Sequence, residues 1–204
     1  MSDKFFSLLD SSSFVFLDGG MGNMLQAHGI KTEHIPELLN ITDPEAIMKI
    51  HRLYVESGAD IIYSNTFGAN RFKLSGSGYS VDEVVSAGVA NARKAAAGRA
   101  LTALDLGPIG QLLEPAGTLK FEEAYEVYKE LVLAGKDADL IVIETMTDLY
   151  EVKAALLAAK ENSDKPVLVT MTFEENMRTF TGVSPECMVA VLEGLGADAI
   201  GVNC

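Results

Sequence analysis

The sequence predicts an α/β fold, a (β/α)8 barrel of which about six βα units are present. A stretch with helical periodicity lies between most consecutive pairs of short apolar segments. Strands that alternate with helices in this way form parallel sheets. The six segments, each typical of a buried strand, are residues 14–17, 60–64, 100–106, 140–144, 167–172 and 199–203.

The length of the chain agrees with part of such a barrel. A complete set of eight units, also called a TIM barrel, takes about 250 residues, whereas the sequence has 204. We therefore expect one domain over residues 1–204 that stops at the tip of the sixth strand, with an open gap where strands seven and eight belong. Cys204 would then lie at the carboxyl end of a strand, on the face where barrels build active sites.

Five helices have recognisable starts in the sequence. Asp43 and Ser184 each precede a proline, a pattern in which the side chain caps the helix and proline takes its first position. Ser80 opens a Ser-Val-Asp-Glu capping box. Apolar residues at helical spacing begin two further helices near Phe121 and Leu149.

The composition limits the classes of function. A formal net charge of −13 and a pI of about 4.6 disfavour binding to nucleic acid. Lysine and arginine are not clustered, which argues against an anionic membrane surface. The N-terminus lacks the features of a secretory signal, and no apolar run reaches the ~18 residues that span a bilayer. With two cysteines, too few for a disulfide framework, the sequence predicts a cytoplasmic protein.

The residues that follow the first two strands are polar and rich in glycine. Asp18 precedes Gly19 and a second glycine, which allow a backbone to approach a ligand closely, although the same pattern suits an ordinary turn. Asn65 and Thr66 can orient a polar small molecule or cap a turn. Residues 19–40 are more than one helix requires, so we expect irregular structure over this face.

The later strand ends differ in how much chemistry they offer, and the third offers little beyond Asp105. Asp105 is the one reactive residue of an otherwise rigid turn. Glu144 follows buried β-branched residues, where an unpaired carboxylate is costly, so a functional role is favoured over a structural one. Cys204 lies on the rim and is favoured as a ligand or nucleophile.

The other cysteine and the histidines are interpreted as ordinary residues. Cys187 lies on a helix and is expected to be a buried, small apolar side chain. His28, His34 and His51 lack the i, i+4 spacing with glutamate that is typical of a helical zinc site.

Taken in order along the chain, the motifs at the strand ends resemble those of the homocysteine S-methyltransferase family. The resemblance covers the whole chain and is greatest to the N-terminal homocysteine-binding domain of bacterial, cobalamin-dependent methionine synthases. Asn23 departs from the threonine that is common in the family. The motifs are Asp18-Gly19-Gly20-Met21-Gly22, Asn65-Thr66-Phe67-Gly68-Ala69-Asn70, Gly107-Pro108-Ile109-Gly110, Glu144-Thr145, Thr181-Gly182-Val183-Ser184-Pro185-Glu186 and Gly201-Val202-Asn203-Cys204.

The resemblance implies a zinc-dependent transfer of a methyl group to homocysteine. The family barrel holds one zinc ion with three cysteines; the first matches Cys204, and the other two form a pair near strand eight, beyond the present sequence. A free thiol has a pKa of ~8.5, and coordination to zinc removes its proton while leaving the sulfur able to attack a methyl carbon. Cys204 is therefore the expected metal ligand and catalytic residue.

The resemblance also implies how the substrate and its partners are bound. Charge complementarity favours Asp18 and Glu144 for the ammonium group of homocysteine. The backbone near Gly19, with Asn65 and Thr66, is implied for its carboxylate. The expected methyl donor is methylcobalamin, carried with a methyltetrahydrofolate-binding module elsewhere in a longer parent chain.

Two alternatives remain open from the sequence. A related homocysteine methyltransferase could use betaine or S-methylmethionine as its donor. A non-catalytic module could instead capture an amino acid through Asp18 and Glu144. Identifying the methyl donor would distinguish the first alternative from a cobalamin-dependent enzyme. Finding the downstream cysteine pair in the full protein would argue against the non-catalytic module.

Overall fold

A computed structural model describes residues 3–30 and 35–204 of the chain. It contains eight α-helices, one 3-10 helix and five strands within those ranges. In chain order they are α1 (Asp3–Ser11), α2 (Met21–Ala27), the 3-10 helix Pro36–Leu38, α3 (Leu39–Thr42), α4 (Pro44–Glu56), β1 (Ile61–Tyr63), α5 (Val81–Ala96), β2 (Leu101–Leu106), α6 (Phe121–Ala134), β3 (Leu140–Met146), α7 (Leu149–Asn162), β4 (Val167–Met171), α8 (Pro185–Gly194) and β5 (Ala199–Val202).

The five strands form one parallel sheet in the order β1-β2-β3-β4-β5. A helix follows each of the first four strands, so every connection is a crossover of the βα type. The α/β class and the parallel barrel-like strand order that the sequence predicts are therefore confirmed. The carboxyl ends of all five strands lie at one edge of the sheet, which places the residues after them on a common face.

The first predicted strand, residues 14–17, differs from the expectation. Leu17 makes an isolated parallel bridge to Ile61, and the carbonyl of Phe16 accepts the N–H of Asp60 at 2.8 Å. The segment therefore lies alongside β1 without becoming a regular strand, and the expectation of six regular strands is wrong at this element. Phe14 and Phe16 are 77% and 63% exposed, because no described strand covers their other side.

The predicted helix starts are confirmed by their caps. Asp43 accepts the N–H of Ala46 at 3.2 Å at the start of α4. Ser80 and Glu83 form both hydrogen bonds of a capping box at the start of α5. Helices α5, α6 and α7 pack their apolar faces on the sheet, and Tyr128 of α6 is fully buried in this layer.

The long segment after the first strand is more regular than expected. It contains α2 and the short helices at residues 36–42, whereas His34 lies outside the described residues. Asn40, which is 2% exposed, anchors the segment, because its side-chain amide donates to the carbonyls of Asn65 at 2.7 Å and Val84 at 3.2 Å. These bonds hold the segment against the carboxyl end of β1 and against α5.

The expectation for Cys187 is wrong, because its side chain is exposed. Met188 and Leu192 form the buried stripe of α8. Cys187 precedes Met188 by one residue, about 100° around the helix axis, and so faces away from the core. Across the described ranges, no helix is both long enough and apolar enough to cross a membrane.

Candidate functional site

A cavity of about 620 Å³ opens at the carboxyl ends of the strands. Five of the six residues that the sequence singled out line it, namely Asp18, Gly19, Asn65, Glu144 and Cys204. A larger hollow of about 730 Å³ lies further along the same face, between the loop after β2 and the start of α7, but contains none of them. The smaller cavity is therefore the candidate functional site.

Asp18 lies at the start of the cavity wall, immediately after the bridge to β1. Its carboxylate accepts the N–H of Tyr63 at 3.0 Å, which fixes its orientation. Burial, together with the nearby charge of Glu144, raises the pKa of Asp18 to about 8, although the hydrogen bond from Tyr63 opposes the rise. At neutral pH this carboxyl group is therefore protonated in the empty site, and it can lose the proton when a cationic group binds beside it.

Close packing favours the glycine after Asp18. A Cβ atom on Gly19 would lie 3.0 Å from the hydroxyl oxygen of Tyr54, which itself donates to the carbonyl of Gly20 at 3.3 Å. A side chain here would displace Tyr54 and narrow the cavity. The glycine turn thus presents backbone, rather than side chain, to a ligand.

Asn65 and Thr66 are both held by hydrogen bonds within the protein. The amide of Asn65 donates to the carbonyl of Pro36 at 2.9 Å and to the Asn40 side chain at 3.2 Å. Thr66 is fully buried, and its hydroxyl donates to the carbonyl of Asp105 at 2.8 Å. Asn65 reaches the cavity wall, whereas the hydroxyl of Thr66 ties together the ends of neighbouring strands.

Glu144 is turned into the cavity by an irregularity in β3. The register with β4 shifts between Ile143 and Met146, and Thr145 has a φ of 57°, in the left-handed region that β-branched residues rarely adopt. Asn203 stabilises this conformation by accepting the Thr145 N–H at 3.1 Å and donating to its hydroxyl at 2.8 Å. Burial raises the pKa of Glu144.

Cys204 lies just past β5 and brings a free, exposed thiol to the cavity wall. Zinc sites in proteins use three or four protein ligands. Across the residues that the structure describes, no three histidine, cysteine or acidic side chains are grouped closely enough to hold a metal ion. These residues therefore fit one ligand of a thiolate zinc site and do not fit a complete one.

Asp105 is a further cavity residue whose importance the sequence did not reveal. It is 6% exposed, and within the described ranges its Oδ1 atom has no hydrogen-bond partner. Burial, followed by the charges of Glu144, Asp18 and Glu37, raises its pKa well above the usual range. The sequence signal was an acid at the end of an apolar run, which is the same signal that identified Glu144.

The charged side chains on the described wall of the cavity are all acidic. Its described wall carries four carboxyl groups, those of Asp18, Glu37, Asp105 and Glu144, and no lysine, arginine or histidine. Glu37 is already bound, because it accepts the N–H of Gly68 at 2.5 Å. The arrangement can bind a cationic group next to the three remaining carboxyl groups, with the Cys204 thiol on the same wall.

Solved structures show the same fold as this chain. The oxidized form of the homocysteine methyltransferase MmuM from Escherichia coli superposes with a TM-score of 0.87 at 22% identity, over 97% of this chain and 75% of that one. The metallated form gives a TM-score of 0.83 at 22% identity, over 97% and 77%. The five strands and their helices thus correspond to part of a (β/α)8 barrel.

Sequence comparisons give the family. Methionine synthase from Mycobacterium leprae (strain TN) is 32% identical over 210 residues, and the match covers 92% of this chain and 17% of that protein. Methionine synthase from Mycobacterium tuberculosis (strain ATCC 25618 / H37Rv) is 32% identical over 208 residues with the same coverage. The family model for homocysteine S-methyltransferase matches residues 15–204. With these matches and the strand-end motifs in their expected order, the chain belongs to the homocysteine S-methyltransferase family.

Proposed function

We propose that the protein transfers a methyl group to the sulfur of homocysteine and so forms methionine, with residues 1–204 as its homocysteine-binding barrel domain in the cytoplasm. The observation that carries this proposal is the single cavity that joins the carboxyl groups of Asp18 and Glu144 to the thiol of Cys204. Homocysteine has an ammonium group at one end and a thiol at the other. One cavity offers a matching group for each.

The acidic wall supports binding of the ammonium group by Asp18 and Glu144. Both carboxyl groups are held at a raised pKa by burial, and a bound ammonium group relieves that cost by supplying the missing opposite charge. The backbone N–H of Gly19, with Asn65 and Thr66, is the proposed receptor for the substrate carboxylate. Of these, Gly19 and Asn65 line the cavity.

Cys204 is the proposed ligand of a zinc ion whose remaining cysteine ligands lie outside residues 1–204. Bound zinc would lower the pKa of the substrate thiol so that it reacts as a thiolate. The residues of this chain would hold the amino-acid end of homocysteine, so that its sulfur is directed toward Cys204.

Methylcobalamin is the proposed methyl donor, carried on another module of a longer protein that also has a methyltetrahydrofolate-binding module. Support comes from the relatives, which are methionine synthases of which this chain spans 17%. The alternative donors betaine and S-methylmethionine, and a non-catalytic amino-acid-binding module, are outcomes of the same experiment.

The test supplies each methyl donor to the intact protein and measures methionine formation. We expect methionine with methylcobalamin and none with betaine or S-methylmethionine. Methionine formed from either of these donors without a corrinoid would replace the proposed donor. No methionine from any donor, together with tight homocysteine binding, would favour the non-catalytic module.

A matched pair of cysteine variants tests the proposed metal ligand. Cys204→Ala should lose bound zinc and turnover together, since the site would keep too few thiolates. Cys187→Ala is the control, because this thiol is exposed on α8 and does not line the cavity. Stoichiometric zinc with full activity in Cys204→Ala would contradict the proposed site.

A further inference from the structure

The carboxyl group of Glu151 is buried, and the proposed function does not use it. Glu151 lies in the first turn of α7, is 5% exposed, and is not among the described residues that line the cavity. Its Oε1 atom accepts the N–H of Ile109 at 2.7 Å and the hydroxyl of Tyr128 at 2.8 Å. Burial raises the pKa of this group, because a buried carboxyl group loses its hydration. The two hydrogen bonds offset that cost, and both lead to the same turn.

The turn is residues 107–110, which follow β2 and carry the Gly-Pro-Ile-Gly motif. Glu151 binds it directly at the N–H of Ile109. The hydroxyl of Tyr128, which Glu151 also holds, lies 3.1 Å from the carbonyl oxygen of Gly107. One buried carboxyl group is thus connected to the turn at two points, once directly and once through a tyrosine.

Two side chains from the loop after β1 hold the remaining carbonyls of the turn. Lys73 donates to the carbonyl of Pro108 at 3.1 Å, and Asn70 donates to the carbonyl of Ile109 at 3.3 Å. Every backbone N–H and C=O from Gly107 to Ile109 therefore lies within hydrogen-bond distance of a partner. A shift of the turn would break several of these bonds at once, so its position is fixed.

The turn supports Phe67, an aromatic residue of the cavity wall. The N–H of Gly107 donates to the carbonyl of Phe67 at 3.1 Å. A Cβ atom on Gly107 would lie 2.4 Å from the Phe67 ring, so the ring rests on the backbone of the turn. The ammonium group of Lys73 lies 5.5 Å from the centroid of the same ring. The position of the turn therefore sets the position of this part of the cavity wall.

We propose that Glu151 is a positioning residue for homocysteine binding, which acts through the turn of residues 107–110 on the ring of Phe67. This inference rests on the proposed function, because it takes homocysteine as the occupant of the cavity. Loss of the carboxyl group leaves the N–H of Ile109 unpaired and releases the hydroxyl of Tyr128. The turn then shifts to recover a partner, and the Phe67 ring moves with it. A ligand loses affinity when the groups around it are displaced by a fraction of an ångström.

Two substitutions of Glu151 test the proposal by titration calorimetry of L-homocysteine on the intact, zinc-loaded protein. Glu151→Leu removes the acceptor, so we expect the dissociation constant to rise by about fivefold or more. Glu151→Gln keeps an acceptor oxygen for both bonds and should stay within about twofold of the wild type. Wild-type affinity in Glu151→Leu would overturn the proposal. An equal loss in both variants would also overturn it, because the acceptor would then not be the cause.

A matched pair of glycine variants tests the contact between the turn and Phe67. Gly107→Ala places a methyl group 2.4 Å from the Phe67 ring, and Gly135→Ala places one 2.5 Å from Leu104 in the core between helices and sheet. Both variants introduce a similar close contact, so both should lower the melting temperature. Only Gly107→Ala should weaken homocysteine binding, by about fivefold or more. An equal effect of the two variants on affinity would contradict the proposal.

A double-variant cycle shows whether Glu151 acts through the Phe67 ring. In a Phe67→Ala background no ring is left to move, so adding Glu151→Leu should change homocysteine affinity by less than about twofold. The same loss with and without the ring would exclude this route. If thermal denaturation shows that Glu151→Leu does not fold, Tyr128→Phe takes its place, because it removes only a hydroxyl from a buried ring, and wild-type affinity in that variant would overturn the proposal. Absence of homocysteine binding in the wild type would instead overturn the proposed function, so the two failures are distinguishable.

Discussion

Carboxylates lie at both ends of the sheet, and their surroundings are opposite. At the amino ends of β1, β3 and β5, an aspartate preceded by alanine accepts a backbone N–H from the neighbouring element. The three pairs are Asp60 with Phe16 at 2.8 Å, Asp139 with Thr102 at 3.0 Å and Asp198 with Val167 at 2.8 Å. These acids are satisfied by the fold and fix the spacing of neighbouring strands.

At the carboxyl ends, one of three acids has such a donor. Asp18 accepts one backbone N–H, Glu144 accepts the Asn203 amide at a long 3.4 Å, and Oδ1 of Asp105 has no described partner. Burial raises the pKa of all three groups. The difference teaches that an acid at the end of a strand does not have one fixed role. The surroundings differ: the acids at the amino ends link neighbouring elements, whereas those at the carboxyl ends line a cavity that a ligand can enter.

The largest expected effect comes from a substitution at the carboxyl ends of the strands, where the acids line the cavity. Glu144→Gln should weaken homocysteine binding by about 100-fold, equivalent to about 2.7 kcal/mol, because it removes a buried charge opposite the ammonium group. Titration calorimetry measures the affinity, and metal analysis should show that zinc stays bound. Wild-type affinity in this variant would remove Glu144 from the site.

A substitution at the amino ends of the strands should lower the stability of the protein. Asp198→Ala leaves the Val167 N–H unpaired and removes the contact with Lys160 at 2.6 Å, so we expect a loss of about 2 kcal/mol in the free energy of unfolding. Denaturation of the intact protein measures this loss, and homocysteine affinity should not change. Asp198→Asn keeps one acceptor oxygen and should recover part of the stability. A fall in affinity without a fall in stability would contradict the division between the two ends.

A smaller effect is expected from pH. Asp18 has a pKa raised to about 8 by burial, so below that pH it is protonated in the empty site and must ionise to bind an ammonium group. Homocysteine affinity should therefore rise with pH from 6 to 8, by at most about tenfold per unit from this group. Asp18→Asn should show a shallower slope. An identical slope in both proteins would mean that other groups cause the pH dependence.

At neutral pH the smallest effect concerns an unpaired group outside the cavity. His51 of α4 is fully buried, its ring nitrogens have no described partner, and burial lowers its pKa to about 4. Between about pH 4 and 6.5 the unfolded chain binds a proton that the folded chain does not, so stability falls as pH decreases through this range. His51→Leu should remove that slope and change stability at pH 7 by less than about 1 kcal/mol. Loss of homocysteine binding in this variant would extend the site to α4.

The sequence predicts the parts of the fold that depend on local signals. The caps at Asp43 and Ser80 need residues within three positions of each other, and both are confirmed. Residues 14–17 have the sequence pattern of a buried strand. A strand of this kind also needs a paired neighbour on each side, and the local sequence does not show whether those neighbours are present. The prediction that Cys187 is buried is wrong because adjacent residues on a helix point about 100° apart, so a buried position can lie next to an exposed one.

The candidate site is predictable in the same partial way. The order of the strand ends is enough to bring Asp18, Glu144 and Cys204 to one cavity. The position of Asp105 was equally visible, yet its importance comes from an unpaired oxygen, which depends on every side chain around it. Thr66 illustrates the reverse case, because its hydroxyl is used up by the carbonyl of Asp105, a partner 39 positions away in sequence.

The side chain of Asn203 connects the last strand to the irregular part of β3. Among the described strands, β5 pairs with β4 alone, and local opening of this pair costs the hydrogen bonds between the two strands. Any such opening withdraws the acceptor from the Thr145 N–H and frees the left-handed residue beside Glu144. The rate at which the Thr145 amide exchanges with deuterium is therefore a direct readout of how often the cavity wall comes apart.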